Sequence, residues 1–124
     1  MKRNAVAVGL LAAGLAWPAA AQVSGNVVKI GVLNDQSGVY ADYGGKWSVE
    51  AAKMAVEDFG GKVLGAPIEI VSADHQNKPD IGSNIARQWF DVDGVDMISE
   101  LTTSSVALAV QALAAEKHKV TITS

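Results

Sequence analysis

The run Glu100-Leu101-Thr102-Thr103-Ser104-Ser105 sets four consecutive hydroxyl side chains between a short apolar stretch and an alanine-rich one. At a strand-to-helix junction, hydroxyl donors and the free N–H groups of a first helical turn can hold a carboxylate, with no catalyst or metal needed. The same spacing fits a simpler arrangement in which one Ser or Thr caps the helix and the others face water. Spacing alone does not separate the two. Tyr40 and Tyr43, in an earlier loop running from Asn34 to Gly44, carry the same ambiguity. Each is either a packed loop aromatic or a ring and a hydroxyl offered to a ligand.

Other chemistry is poorly supported. Asp74-His75 has the residue types of an acid/base or metal pair, but adjacent side chains at a strand end diverge and no third ligand sits at a useful spacing. His118 lies between Lys117 and Lys119 at a helix end, where positive charge complements the helix dipole. The chain has no cysteine, which excludes thiolate metal sites and thiol nucleophiles. No G-x-G-x-x-G, Walker A or G-x-S-x-G pattern occurs. A response-regulator receiver would use Asp35 after its first strand, but Glu100 stands near the place of its phosphorylatable Asp. The expectation is a binding protein without catalytic residues, cofactor or metal. A net charge of -3 over 124 residues also argues against a nucleic-acid partner.

The elements that must position these loops follow from the hydrophobic period. Val27 to Leu33 is a nearly continuous apolar run rich in β-branched residues, suited to a strand buried on both faces. From Gly45 to Phe59 the period becomes helical, with Ser48, Ala51, Ala52, Ala55 and Phe59 on one face, and Gly60-Gly61 stops the helix. Lys62 to Leu64, a turn at Gly65-Ala66-Pro67 and the run Ile68–Ala73 form the second core strand with a hairpin-like approach. Pro79 opens a second helix whose inward face carries Ile81, Ile85, Trp89 and Val92, ending at Asp93-Gly94. Val95–Ser99 is a third strand. A third helix, capped by Ser104 or Ser105, buries Val106, Ala109, Val110 and Leu113, and Val120-Thr121-Ile122 opens a fourth strand. This alternation predicts an α/β fold with a doubly wound parallel sheet. Ligands of such sheets bind beyond the carboxyl ends of the strands, where the tyrosine loop, the Asp74–Lys78 loop and the hydroxyl loop all fall. The last strand has nothing after it to cover its edge, so the sequence reads as a fragment.

At the N-terminus, Lys2-Arg3, the apolar run Ala5–Ala16 and Ala19-Ala20-Ala21 have the three parts of a secretory signal peptide, with cleavage expected after Ala21. Pro18 interrupts the run before it reaches the length of a membrane span. The mature domain is then 22–124.

The mature chain resembles a known family, the type I periplasmic binding proteins of branched-chain amino acid ABC transporters. The resemblance rests on Ile30-Gly31-Val32-Leu33, Ser37-Gly38-x-x-Ala41-x-Tyr43-Gly44, the helix Ala51–Asp58, Gly60-Gly61-x-x-x-Gly65, the strand into Asp74, and Thr103-Ser104-Ser105. It implies the first lobe of a two-lobed receptor that closes like a hinge on a small carboxylate solute. The receptor would then pass the solute to an ABC permease in the inner membrane. It also implies that Thr103, Ser104 and Ser105 meet the carboxylate and that Tyr43 lines the pocket. The place of action would be the periplasm, and the second lobe would be missing from this piece. A ligand-sensing domain of the same fold in a signalling protein is the alternative.

Overall fold

The computed structural model of the chain describes residues 25–124; the expected signal peptide, 1–21, lies outside the described residues. The elements run β1 (Val28–Asn34), α1 (Gly45–Phe59), β2 (Lys62–Val63), β3 (Ala66–Asp74), α2 (Pro79–Gln88), β4 (Met97–Glu100), α3 (Ser104–Glu116) and β5 (Val120–Thr123). They build a five-stranded sheet in the order β2-β3-β1-β4-β5. β3, β1, β4 and β5 are parallel, and only the short β2 runs antiparallel, against β3. The expected α/β sheet is therefore present, with a hairpin at one edge. Its turn is Leu64-Gly65, at φ 50° and 82°, so Ala66-Pro67 belongs to β3 rather than to the turn. Two positive φ values in a two-residue loop match the right-handed twist of the strands they join.

Side chains alternate between sheet faces with a period of two, and the two faces are covered unequally. Leu33, Ile98 and the half-buried Val71 and Ala73 point to one face, where Ala86, Trp89, Phe90, Val106, Val110 and Leu113 of the α2 and α3 layer close the core. Ile30, Ile68, Ile70 and Met97 point to the other face and line an apolar groove beside Ala52, Ala55, Val56 and Phe59 of α1. That helix spans the residues its period predicts and stops at Gly60, which sits at φ 100°, a conformation glycine adopts without steric cost. The stripe it turns inward is Val49, Ala52 and Val56, one residue round from the expected one. Ala51 and Ala55 are exposed and Phe59 lies on the groove's open rim.

The second helix also differs in register. Trp89–Asp93 forms a single π turn at the end of α2. Its wider winding shifts which side chains face the core, so Phe90 is buried and Val92, expected inside, is 70% exposed. On α3 the buried residues are Val106, Ala107, Val110, Leu113 and Ala114, with Ala109 half-buried. The basic residues expected in its last turn lie just beyond it, where Lys117 pairs with Asp91 and Lys119 donates to the Val95 carbonyl. Among the described residues no helix is long and apolar enough to cross a membrane.

Candidate functional site: a cleft at the switch point of the sheet

The chain leaves β1 for β3 on one side and returns to β4 on the other, so the strand order reverses between β1 and β4. Loops leaving the two strands part there and open a crevice. A cleft of about 390 Å3 occupies this place, lined by Tyr40, Tyr43, Gly44, Ser48, Glu100, Thr102 and Ser124. It is thus built from the loop after β1, the first turn of α1, the loop after β4 and the residue after β5.

A buried carboxylate organises the loop after β1. Asp35 is 1% exposed and accepts hydrogen bonds from the Gly38 N–H at 2.7 Å and the Tyr40 N–H at 3.0 Å. Tyr40 in turn accepts the Tyr43 N–H at 2.9 Å and the Gly44 N–H at 3.3 Å, which carries the loop into α1. Asn34, fully buried, ties β1 to the start of that helix by donating from Nδ2 to the Gly45 carbonyl. The two rings end up at the cleft: Tyr40 is half-exposed and Tyr43 is 89% exposed, so Tyr43 has protein on one side only.

The loop after β4 carries backbone strain. Glu100 and Leu101 have φ values of 84° and 39°, and the left-handed region costs a non-glycine residue on the order of 1 kcal/mol. The conformation is held by the Leu101 side chain, 1% exposed in the core, by its N–H on the Leu33 carbonyl, and by Ser124 donating its N–H and Oγ to the Glu100 carbonyl. Glu100 and Thr102 are thereby left facing the cleft. The Glu100 carboxylate has no hydrogen-bond or ion-pair partner among the described residues, and its Oε2 lies 3.4 Å from where a Cβ on Gly44 would stand.

The four residues expected to bind ligand are dispersed around this cleft. Tyr43 lines it. Thr103, rather than Ser104 or Ser105, is the N-cap of α3; its hydroxyl makes no capping bond and is buried without a partner. Ser104 lines a shallower hollow that shares Thr102 and Ser124 with the cleft. Ser105 is exposed and lines neither. α1 likewise has Gly44 as its N-cap with no side-chain cap, so the first-turn N–H groups of both helices are free of side-chain acceptors; α1 starts at the cleft wall and α3 at the adjoining hollow. Glu100, Thr102 and Ser48 were not singled out as ligand contacts from the sequence. Thr102 alone had a signal, its place in the hydroxyl run.

The third loop of the same edge, after β3, is occupied by structure. Burial pushes the Asp74 carboxyl up, but the Ser37 hydroxyl, the Gln36 and Gln76 N–H groups and nearby His75 outweigh it and hold the group below 3.8. His75 is fully buried and accepts the Asn77 N–H at Nδ1, which leaves the neutral ring's proton on Nε2, where it has no acceptor. Burial holds its pKa below 6.5 against the pull of Asp35 and Asp74. Both groups are therefore less protonated folded than unfolded, so they stabilise the fold at high pH. The His75 contribution is lost as pH falls below 6.5 and that of Asp74 below 3.8. Thermal midpoints measured from about pH 8 to about pH 5 are expected to fall, and to fall less steeply in His75→Gln. Equal slopes would remove His75 from the account.

A crevice at the switch point of a parallel α/β sheet is where such folds bind their ligands. The chain belongs to the periplasmic binding protein family, which matches residues 27–124. No curated protein matches it. Among solved structures, it is similar to a periplasmic binding protein from Burkholderia mallei, at 54% identity over 79% of this chain and 26% of that one, with a TM-score of 0.77. A branched-chain amino acid ABC transporter periplasmic ligand-binding protein from Burkholderia xenovorans is 52% identical over 76% and 25% of the two chains, with a TM-score of 0.73. A solute-binding protein of an ABC transporter from Rhodopseudomonas palustris, in complex with 3,4-dihydroxybenzoic acid, is 25% identical over 80% and 27%, also at 0.73. The chain thus spans about a quarter of the length of these structures.

Proposed function

We propose that this chain is the start of the substrate-binding component of an ABC transporter. It would be exported to the periplasm by a cleaved signal peptide at 1–21, take up a small carboxylate solute between two hinged lobes, and deliver it to a permease. The observation that carries this reading is the cleft at the β1/β4 switch point, with the α3 N-terminus beside it and no side chain capping it. A solute carboxylate would accept from those N–H groups and from Ser104, while Tyr43 covers its apolar part; Thr103, whose hydroxyl is buried, and Ser105, which lines neither the cleft nor the hollow, would shape the turn that presents those groups. Two of the relatives named above support this reading, the Burkholderia xenovorans protein as a branched-chain amino acid transporter component and the Rhodopseudomonas palustris protein through its complex with an aromatic acid.

The test is a thermal-shift screen of the full-length mature protein against amino acids, aromatic acids and short dicarboxylates. A ligand that binds only the folded state raises the melting temperature. A shift confined to one carboxylate class supports the reading, and no shift with any of them counts against it. With the solute in hand, Ser104→Ala is expected to weaken binding by about 1 to 3 kcal/mol. Unchanged affinity in a titration would remove Ser104 from the site.

A further inference from the structure

Asp35 and His75 follow directly on the paired residues Asn34 and Asp74 at the ends of β1 and β3, and both side chains are buried. The charged groups that act on the imidazole are Asp35 and Asp74. The helices packed over it bring Gly82 of α2, where a Cβ would stand 3.6 Å from that of His75, and Val106 of α3, neither of them charged. In the neutral ring Nδ1 accepts the Asn77 N–H at 3.0 Å, and this bond closes a turn in which Gln76 and Asn77 both stand in the left-handed region, at φ 52° and 55°. A second proton can enter only at Nδ1, where it would face that N–H donor to donor. The turn would lose its closing bond while a cation stayed buried, so the charge forms where the turn opens to water.

The turn does not open alone. Asp74 Oδ1 takes the Gln76 N–H at 2.8 Å from one side and the Gln36 N–H at 2.9 Å from the other, and its Oδ2 takes the Ser37 hydroxyl. An imidazolium also attracts Asp35, whose carboxylate holds the Gly38 and Tyr40 N–H groups. We infer that His75 is a positioning residue for the cleft: its neutral ring latches the loop after β3 to the tyrosine loop, and its protonation releases both. The inference rests on the proposed solute-binding reading for its consequence, since the freed loop carries Tyr40 and Tyr43, and it goes beyond that reading in making the cleft wall sensitive to acid. The closed form has the less basic imidazole, so it is favoured at neutral pH and loses ground as pH falls below 6.5.

The experiment is amide hydrogen exchange of the full-length protein, without solute, at about pH 7.5 and about pH 5.5, each rate being divided by that of an unstructured chain at the same pH. A histidine that charges only on opening raises the open fraction by at most about tenfold across that range. Protection from Gln36 to Gly44 and from Gln76 to Lys78 is therefore expected to fall by about three- to tenfold, with both segments still exchanging faster than α3, so that the opening is local. His75→Gln has no group to titrate there and is expected to show no such fall, although His118 remains. Should that variant not fold, His75→Asn, whose side-chain oxygen can accept the N–H two residues on, takes its place. Protection that does not change with pH, that falls equally in the variant, or that falls only in step with an equally protected α3 would overturn the inference. An acid response with no solute of any class bound in the thermal-shift screen would support the latch and count against the solute-binding reading.

Discussion

Asp35→Ala is expected to destabilise the fold by about 3 kcal/mol and to remove most solute binding with it. The carboxylate is 1% exposed and is the shared acceptor for the N–H groups of Gly38 and Tyr40. Hydrogen bonds to a charged acceptor contribute about 1.5 to 3 kcal/mol each, and the exposed tip of the loop recovers part of that from water once the acceptor is gone. The effect on binding comes from the chain of bonds that follows. Tyr40 holds the N–H groups of Tyr43 and Gly44, so freeing Tyr40 releases the tyrosine wall of the cleft and the start of α1 together. Urea unfolding reads the first effect and a solute titration the second. A loss of stability below about 0.5 kcal/mol, within the range of an ordinary surface substitution, would show that the loop keeps its shape without Asp35.

The second large effect lies in the core. Gly31 sits on β1, paired on both sides by β3 and β4, and a Cβ there would stand 2.4 Å from Cζ3 and 2.6 Å from Cε3 of Trp89. Trp89 is itself buried, on the π turn that ends α2. Gly31 is held in the sheet on both sides and Trp89 is buried, so Gly31→Ala is expected to cost about 1 to 3 kcal/mol by overpacking. Trp89→Phe removes the ring atoms in the way. The two changes together should be less harmful than the sum of each alone, by at least about 1 kcal/mol in a double-mutant cycle. Strict additivity would mean that β1 or the π turn shifts freely. That would also loosen the placement of Asn34 and Asp35, which follow on the same strand.

Where the fold was readable from the sequence, it was readable through periodicity, and the function through the motifs that resemble a known family. The alternation of β-branched runs and helical stripes determines the parallel sheet, and the sheet determines that the loops after Leu33 and Ser99 meet at one edge. The bounds of the helix Gly45–Phe59 and the glycine that ends it could be read because both signals are local. What could not be read depended on geometry without a local signature. Nothing in Trp89–Asp93 announces a π turn, and that turn decides that Phe90 and not Val92 is buried. Among four successive hydroxyls, the choice of Thr103 as N-cap is made by the backbone leaving β4, not by residue type. Glu100 escaped notice as a ligand contact for the same reason. Its place in the cleft follows a left-handed φ that non-glycine residues seldom adopt.

The central claim is that solute binds at the β1/β4 switch point against the tyrosine loop and the start of α3. Amide hydrogen exchange of the full-length protein, with and without the solute found in the screen, tests it most directly, since ordering by a ligand slows the local openings through which amides exchange. The account predicts added protection in the stretch from Gly38 to Ser48 and in that from Glu100 to Ala107, with little change in β2 and at the far end of α1. Protection confined to other segments, with these two stretches unchanged, would contradict it.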